Sequence, residues 1–238
     1  MLGLCNDSDM KLAVVIAAYN EAERLGSVLA TLPRQLADIS DVEIVVVNDG
    51  SSDFTANVAA DSGVTVLSHK INRGQGAALQ TGFDYARRQA KQIVVTFDAD
   101  GQHCPEEIPD IIHPILTDEA DIVLGSRFLD RQPENITAMR RMTLKGGVAF
   151  TRMVSQVKIT DTHNGFRALG PRALDTISIK HDKMEHASEI IDQVGTRRLR
   201  YVEVPVTIRY TDYSMAKGQR NSAALRIAAK ILIDKYLL

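Results

Sequence analysis

Short apolar runs alternate with segments of helical period through the first half of the 238-residue chain. Residues 11–18, 42–48, 64–68, 92–98 and 122–126 are rich in valine and isoleucine and read as buried strands. Helical patterns follow Asn20 and cover residues 52–61, 77–89 and 105–116. Asn20 and Glu23 have capping-box spacing, Asp53 is a second candidate cap, Gly63 closes one helix and Pro105 opens another. Repeated βα units with apolar strands predict a mostly parallel sheet covered by helices on both faces. The second half is less regular: a helix over 139–157, an extra strand over 165–169, a helix over 184–194, and one or two strands over 199–210 around Pro205. At 223–238 a last helix carries only a narrow polar stripe, Arg226, Lys230 and Asp234. So apolar a helix must bury most of its surface, in its own domain, on a partner chain or in a membrane interface. With no internal repeat or flexible linker, the chain reads as one domain over 1–215 with a helical extension over 216–238.

Composition narrows the setting. A formal net charge of -2 gives no global basic field, so nucleic acid is not an expected partner. Basic residues cluster only locally, at Arg140-Arg141, Arg197-Arg198-Arg200 and Lys217-Arg220, each of which can be a solvated face. Cys5 and Cys104 form neither a disulfide framework nor a zinc pattern. The first ten residues lack the basic region and apolar run of a secretion signal, and no stretch nears the roughly 20 apolar residues of a membrane span. The expected place is the cytoplasm, peripheral on the cytosolic face of a membrane.

The chemistry gathers at strand ends. Tyr19-Asn20-Glu21 follows the first strand, Asn48-Asp49-Gly50-Ser51-Ser52-Asp53 the second, and Asp98-Ala99-Asp100-Gly101-Gln102 the fourth. In a parallel sheet these ends share the edge where ligands bind. Asp98 and Asp100 are close enough to repel, so one of them tends to hold a proton unless a hard divalent cation relieves the penalty. Asn72-Arg73-Gly74-Gln75-Gly76 precedes a helix whose N-terminus favours anions. It is not a dinucleotide fingerprint, because it does not follow the first strand and Leu79 takes the place of a third glycine. Arg127, in Gly125-Ser126-Arg127, closes the fifth strand and could pair with phosphate oxygens through two parallel hydrogen bonds, or form an ordinary ion pair.

Taken in order from Ala18-Tyr19-Asn20-Glu21 to Gly125-Ser126-Arg127, these motifs resemble the family 2 inverting glycosyltransferases. Within them the chain is similar to the dolichyl-phosphate mannose synthase-like branch of polyprenyl-phosphate glycosyltransferases, over residues 11–215. The resemblance implies an α/β nucleotide-diphospho-sugar transferase (GT-A) fold, a Rossmann-like mostly parallel sheet. It implies that Ala18, Tyr19, Glu21, Asp49, Gly76, Asp98, Ala99 and Asp100 meet the nucleotide-sugar. It implies that Asp98, Asp100 and Gln102 hold Mg2+ or Mn2+, and that Arg127, Arg141, Lys145, Arg209, Ser214 and Lys217 meet the acceptor phosphate. Asp161-Thr162-His163-Asn164-Gly165-Phe166-Arg167 matches a segment lining the acceptor side. Two departures stand out: Ala18 replaces the common proline, and Met215-Ala216 separates Ser214 from Lys217 where the branch has Ser-Lys adjacent.

The expected reaction moves a hexose from a UDP- or GDP-sugar to a polyprenyl phosphate for cell-envelope glycan or glycoconjugate synthesis. Asp100 and Arg127 are the expected catalytic groups. The partners are the donor, the lipid, a membrane surface and a small membrane protein; a homo-oligomer is compatible with the chain. If the acceptor is instead a sugar hydroxyl in polysaccharide synthesis, a carboxylate base is needed, and Glu185 or Glu189 would supply it. Two further readings are a phosphatase of the haloacid-dehalogenase type, with Asp98 as nucleophile, and a non-catalytic binding module.

Overall fold

The computed structural model describes residues 10–129 and 157–209. The helices expected over 139–157 and 223–238, the extension at 216–238, and Arg140, Arg141, Lys145, Ser214 and Lys217 lie outside the described residues.

β1 (Lys11–Ala18), β2 (Asp41–Asn48), β3 (Thr65–Ser68), β4 (Ile93–Thr96), β5 (Ile122–Ser126), β6 (Arg167–Leu169) and β7 (Tyr201–Pro205) form one sheet. Its order is β3-β2-β1-β4-β6-β5-β7. The helices are α1 (Ala22–Thr31), α2 (Thr55–Asp61), α3 (Gln75–Arg88), α4 (Ile108–Leu116), α5 (Pro171–Thr176) and α6 (His186–Thr196), with a 3₁₀ turn at Pro105–Glu107 leading into α4. Successive residues of β1 face opposite layers, as pleating requires. Leu12, Val14 and Ile16 pack with Leu25, Leu29, Ile108 and Ile111. Ala13 and Val15 pack with Phe83, Ile190 and Ile191 on the other face.

The one departure from parallel pairing is β6, which runs antiparallel to both β4 and β5. The chain reaches β6 from the sheet's carboxyl edge. There Thr96 Oγ1 donates to the Gly165 carbonyl (2.5 Å) and Gly125 N to the Phe166 carbonyl (2.9 Å). A strand that starts at that edge can only run back against its neighbours.

The capping box expected at Asn20 does not form. Asn20 adopts φ 53°, and its side-chain oxygen accepts from Ser52 N (2.9 Å), joining the β1 and β2 loops. Asp53 serves two helices instead: Oδ2 accepts from Ala22 N at the start of α1 (3.2 Å) and Oδ1 from Thr55 N at the start of α2 (3.0 Å). α5 was not anticipated, although Pro171 at its first turn is a start signal. In the basic cluster at 197–200, Arg200 pairs with Asp118 and Asp121, ahead of β5 and away from the carboxyl edge.

Candidate active site

The four residues of β4 are fully buried, and the chain beyond it carries alternating environments. Phe97 and Ala99 sit in the core, while Asp98 and Asp100 are half-buried beside the cleft. Gly101, at φ 75°, turns the loop so that Gln102 N donates to Asp100 Oδ1 (3.0 Å). Asp98 is more heavily engaged: Oδ2 lies 2.9 Å from His103 Nε2, and Oδ1 accepts from Gln75 Nε2 at the start of α3 (3.1 Å). Burial alone would raise the Asp98 carboxyl, but His103, Arg167 and His186 hold it below the ordinary range. Asp100 feels only His103 among those cations, and that charge and the Gln102 N–H do not offset the rest. Burial and the Asp98 charge push it up to about 6.

The β1 and β2 loops stand alongside. Tyr19 is exposed, and Glu21 N donates to Thr55 Oγ1 (2.9 Å). Ala18 is buried, and its carbonyl accepts from Asp49 N (2.8 Å). Asp49 is also turned inward. Oδ1 contacts His69 Nδ1 (2.7 Å) and accepts from Arg73 N (2.9 Å), and Oδ2 accepts from Gly74 N (2.6 Å). It fixes the 69–74 loop, and His69 Nε2 in turn meets Thr81 Oγ1 at 2.9 Å.

The glycine loop packs against a distant segment. A Cβ on Gly76 would stand 2.1 Å from the His181 carbonyl and 3.0 Å from His186 Cβ. Gly76 therefore admits the close approach of the 181–186 segment. The N-terminus of α3 is partly closed as well, since Ala77 N donates to the Asp182 carbonyl (3.2 Å).

Arg127 reaches the expected edge, where it is buried and paired with Asp161. Its Nε and NH2 contact Asp161 Oδ2 and Oδ1 at 2.6 and 2.8 Å, and its own backbone N–H donates to Oδ2 as well (3.2 Å). Burial would raise the Asp161 carboxyl; Arg127 holds it low. Glu203 on β7 accepts from Thr160 N and Asp161 N, fixing the loop that presents Asp161. Arg209 behaves differently: its backbone N donates to the Gln102 carbonyl (2.9 Å) and its guanidinium is exposed, 4.0 Å from Glu106 Oε2.

The two candidate bases sit at the start of α6. Both Glu189 oxygens accept from the backbone N–H of Lys180, Oε2 also from that of His181, and Oε2 lies 3.1 Å from His181 Nδ1, so Glu189 holds the 180–181 backbone against α6. Glu185 precedes the helix and is half-buried. Beside them His186 is buried, with Nδ1 on the Lys183 carbonyl (2.7 Å), and burial followed by the Arg167 charge pushes it down to about 4.

His103 was not singled out from the sequence, and Gln75 and Arg167 entered only as members of the 72–76 and 161–167 motifs, without a role of their own. His103 directly follows Gln102, and Arg167 ends the 161–167 motif, but nothing local announces their partner Asp98. Among the described residues no group of three or more His, Cys, Asp or Glu is disposed to hold a metal. The donors that fit one are two carboxylates and an amide, Asp98, Asp100 and Gln102. The elevated Asp100 carboxyl is the penalty that a hard cation removes.

Comparison with known proteins places this arrangement. The glycosyl transferase family 2 pattern matches residues 13–177. The chain is 34% identical over 228 residues to an uncharacterized protein of Methanocaldococcus jannaschii, covering 94% of this chain and 92% of that one. It is 29% identical over 248 residues to the UDP-N-acetylglucosamine–dolichyl-phosphate N-acetylglucosaminyltransferase of Methanococcus voltae, covering 96% and 97%. Glucosyl-3-phosphoglycerate synthase of Mycobacterium tuberculosis, solved with Mn2+ and UDP-glucose, superposes with a TM-score of 0.68 at 20% identity, covering 94% of this chain and 78% of that chain. That likeness establishes the shared GT-A fold. The phosphatase and binding-module readings fall away. The polar ends of β1, β2 and β4 are those of a sugar-transferring enzyme, and the chain belongs to glycosyl transferase family 2.

Proposed function

We propose that the protein transfers a hexose from a UDP- or GDP-sugar to a polyprenyl phosphate, with inversion at the anomeric carbon and a requirement for Mg2+ or Mn2+. The observation that carries this reading is the Asp98–Asp100 pair at the carboxyl edge, with Asp100 held at about 6 by the neighbouring charge and by burial. Asp98, Asp100 and Gln102 would hold the cation, which supplies charge neutralisation for a departing nucleoside diphosphate.

The chain's own groups do the rest. Gln75 and His103 orient Asp98. Tyr19 and Glu21 border the nucleoside side, and Arg209, whose backbone N donates to the Gln102 carbonyl, carries an exposed guanidinium 4.0 Å from Glu106 Oε2. A phosphate acceptor is already an anion and needs no general base. The engagement of Glu189 with the Lys180 and His181 amides agrees with that. The relative from Methanococcus voltae, named for a dolichyl-phosphate acceptor, supports a lipid phosphate here. A polyprenyl phosphate resides in a membrane, so this reading assigns the reaction to a membrane surface, with a small membrane protein as the proposed anchor.

The test is nucleoside diphosphate release from a panel of UDP- and GDP-sugars with Mn2+, with and without a polyprenyl phosphate. Release that needs both lipid and metal and is lost in Asp100→Ala is the expected result. Release driven by a sugar hydroxyl acceptor and lost in Glu185→Gln would overturn the lipid acceptor.

A further inference from the structure

The segment running from Asp161 to Arg167 touches both sides of the cleft. At its start Asp161 grips the Arg127 guanidinium, with contacts of 2.6 and 2.8 Å. Near its end Gly165 lies so close to the donor loop that a Cβ there would stand 2.6 Å from Asp98 Oδ2. Arg167, the last residue, is aligned with Thr96 on β4 and Leu124 on β5, the strands that feed the Asp98 loop and Arg127. Its side chain is buried, and among the described residues its guanidinium bond runs from NH2 to the carbonyl of Thr162, next to Asp161 (3.0 Å). It makes no direct ion pair among the described residues.

We propose that Arg167 is a positioning residue for the transfer reaction: through its charge and its bond to Thr162 it fixes the spacing between Asp98 on the donor side and the Asp161–Arg127 pair on the acceptor side. This rests on the transferase reading above. A buried cation is expensive unless nearby anions compensate it. Burial lowers the Arg167 guanidinium to about 10, and the two carboxylates that counter the loss are Asp98 and Asp161. A residue serving only the sheet would be cheaper as a leucine. The charge instead links two carboxylates whose loops come from different strands.

The experiment compares wild type with Arg167→Met, Arg167→Lys and Gly165→Ala. It reads the thermal midpoint, Mn2+-dependent binding of UDP and GDP, and KM for the donor and for polyprenyl phosphate. Arg167→Met should raise both KM values about tenfold in protein that still unfolds cooperatively, and Arg167→Lys should recover part of each. A fall in kcat that follows the lost thermal midpoint, with both KM values unchanged, overturns the proposal. If Arg167→Met does not fold, Gly165→Ala decides. Its methyl group meets a donor-side residue, so a raised KM for the lipid supports the link and an unchanged one overturns it. If wild type shows no lipid-stimulated release, the functional reading has failed by itself. Weakened nucleotide binding in Arg167→Met then still supports the link to Asp98, and unchanged binding overturns it.

Discussion

Asp98 Oδ2 stands 2.9 Å from Nε2 of His103, five residues later on the same loop. The His103 ring is buried, edge-on to Phe97 at 5.3 Å and tilted against Phe166 at 5.1 Å, and among the described residues its Nδ1 has no hydrogen-bond partner. The ring is thus held by packing on two aromatics, with one nitrogen reserved for the carboxylate. His103→Ala should lose about 2–4 kcal/mol of stability, from the cavity and the stranded carboxylate together. Urea unfolding measures it. A loss below about 0.5 kcal/mol would mean the ring carries neither role.

Asp100 gives the proposed metal site a pH signature. Without a cation its carboxyl sits at about 6, so acidification protonates it well above the usual carboxylate range. Mn2+ affinity should therefore climb between pH 5 and pH 7, because ligand oxygens must be deprotonated. Titration by electron paramagnetic resonance would show the climb in wild type and a flatter curve in Asp100→Asn. Equal slopes would place the cation elsewhere.

His186 predicts an acid sensitivity of the fold. Its folded value, about 4, lies below the ordinary 6.5, so between those values the unfolded chain binds more protons than the native one. Stability is fully present above pH 6.5 and declines as pH falls toward 4, by about 3 kcal/mol at most. Asp100 contributes the opposite slope, because its folded carboxyl is raised. The two are separated by comparing wild type with His186→Gln. The variant should lose less stability on going from pH 7 to pH 5.

Arg127 and Asp161 form a buried two-pronged ion pair. Arg127→Ala leaves a buried carboxylate alone and should cost about 3–5 kcal/mol. Arg127→Lys cannot supply the fork and should fall between. Were Arg127 chiefly an acceptor ligand, these variants would raise the lipid KM with little change in the unfolding midpoint.

Much of this architecture was legible because its signals are local. β1 and β5 have the bounds expected from the sequence, since both faces are buried and each strand reads as a nearly continuous apolar run. The Asp98–Asp100 loop was legible for the same reason. What sequence reasoning missed depends on partners distant along the chain. Asn20 has a cap residue's composition, yet Ser52 takes its oxygen. Gly76 looks like part of a phosphate loop, but its constraint is the carbonyl of His181. Arg127 looks available until Asp161 arrives, 34 residues later, to occupy its fork.

The reversed direction of β6 also bears on how the molecule assembles. β4 and β5 do not touch as neighbours; each completes its ladder only through Ala168 and the residues flanking it. A nascent chain ending before residue 165 would hold two strands with open, apolar edges facing one another, the kind of surface that recruits foreign strands. The sugar-transfer site would mature late in synthesis, and damage to this short insertion should appear first as aggregation of chains that already contain every residue of the Asp98 loop.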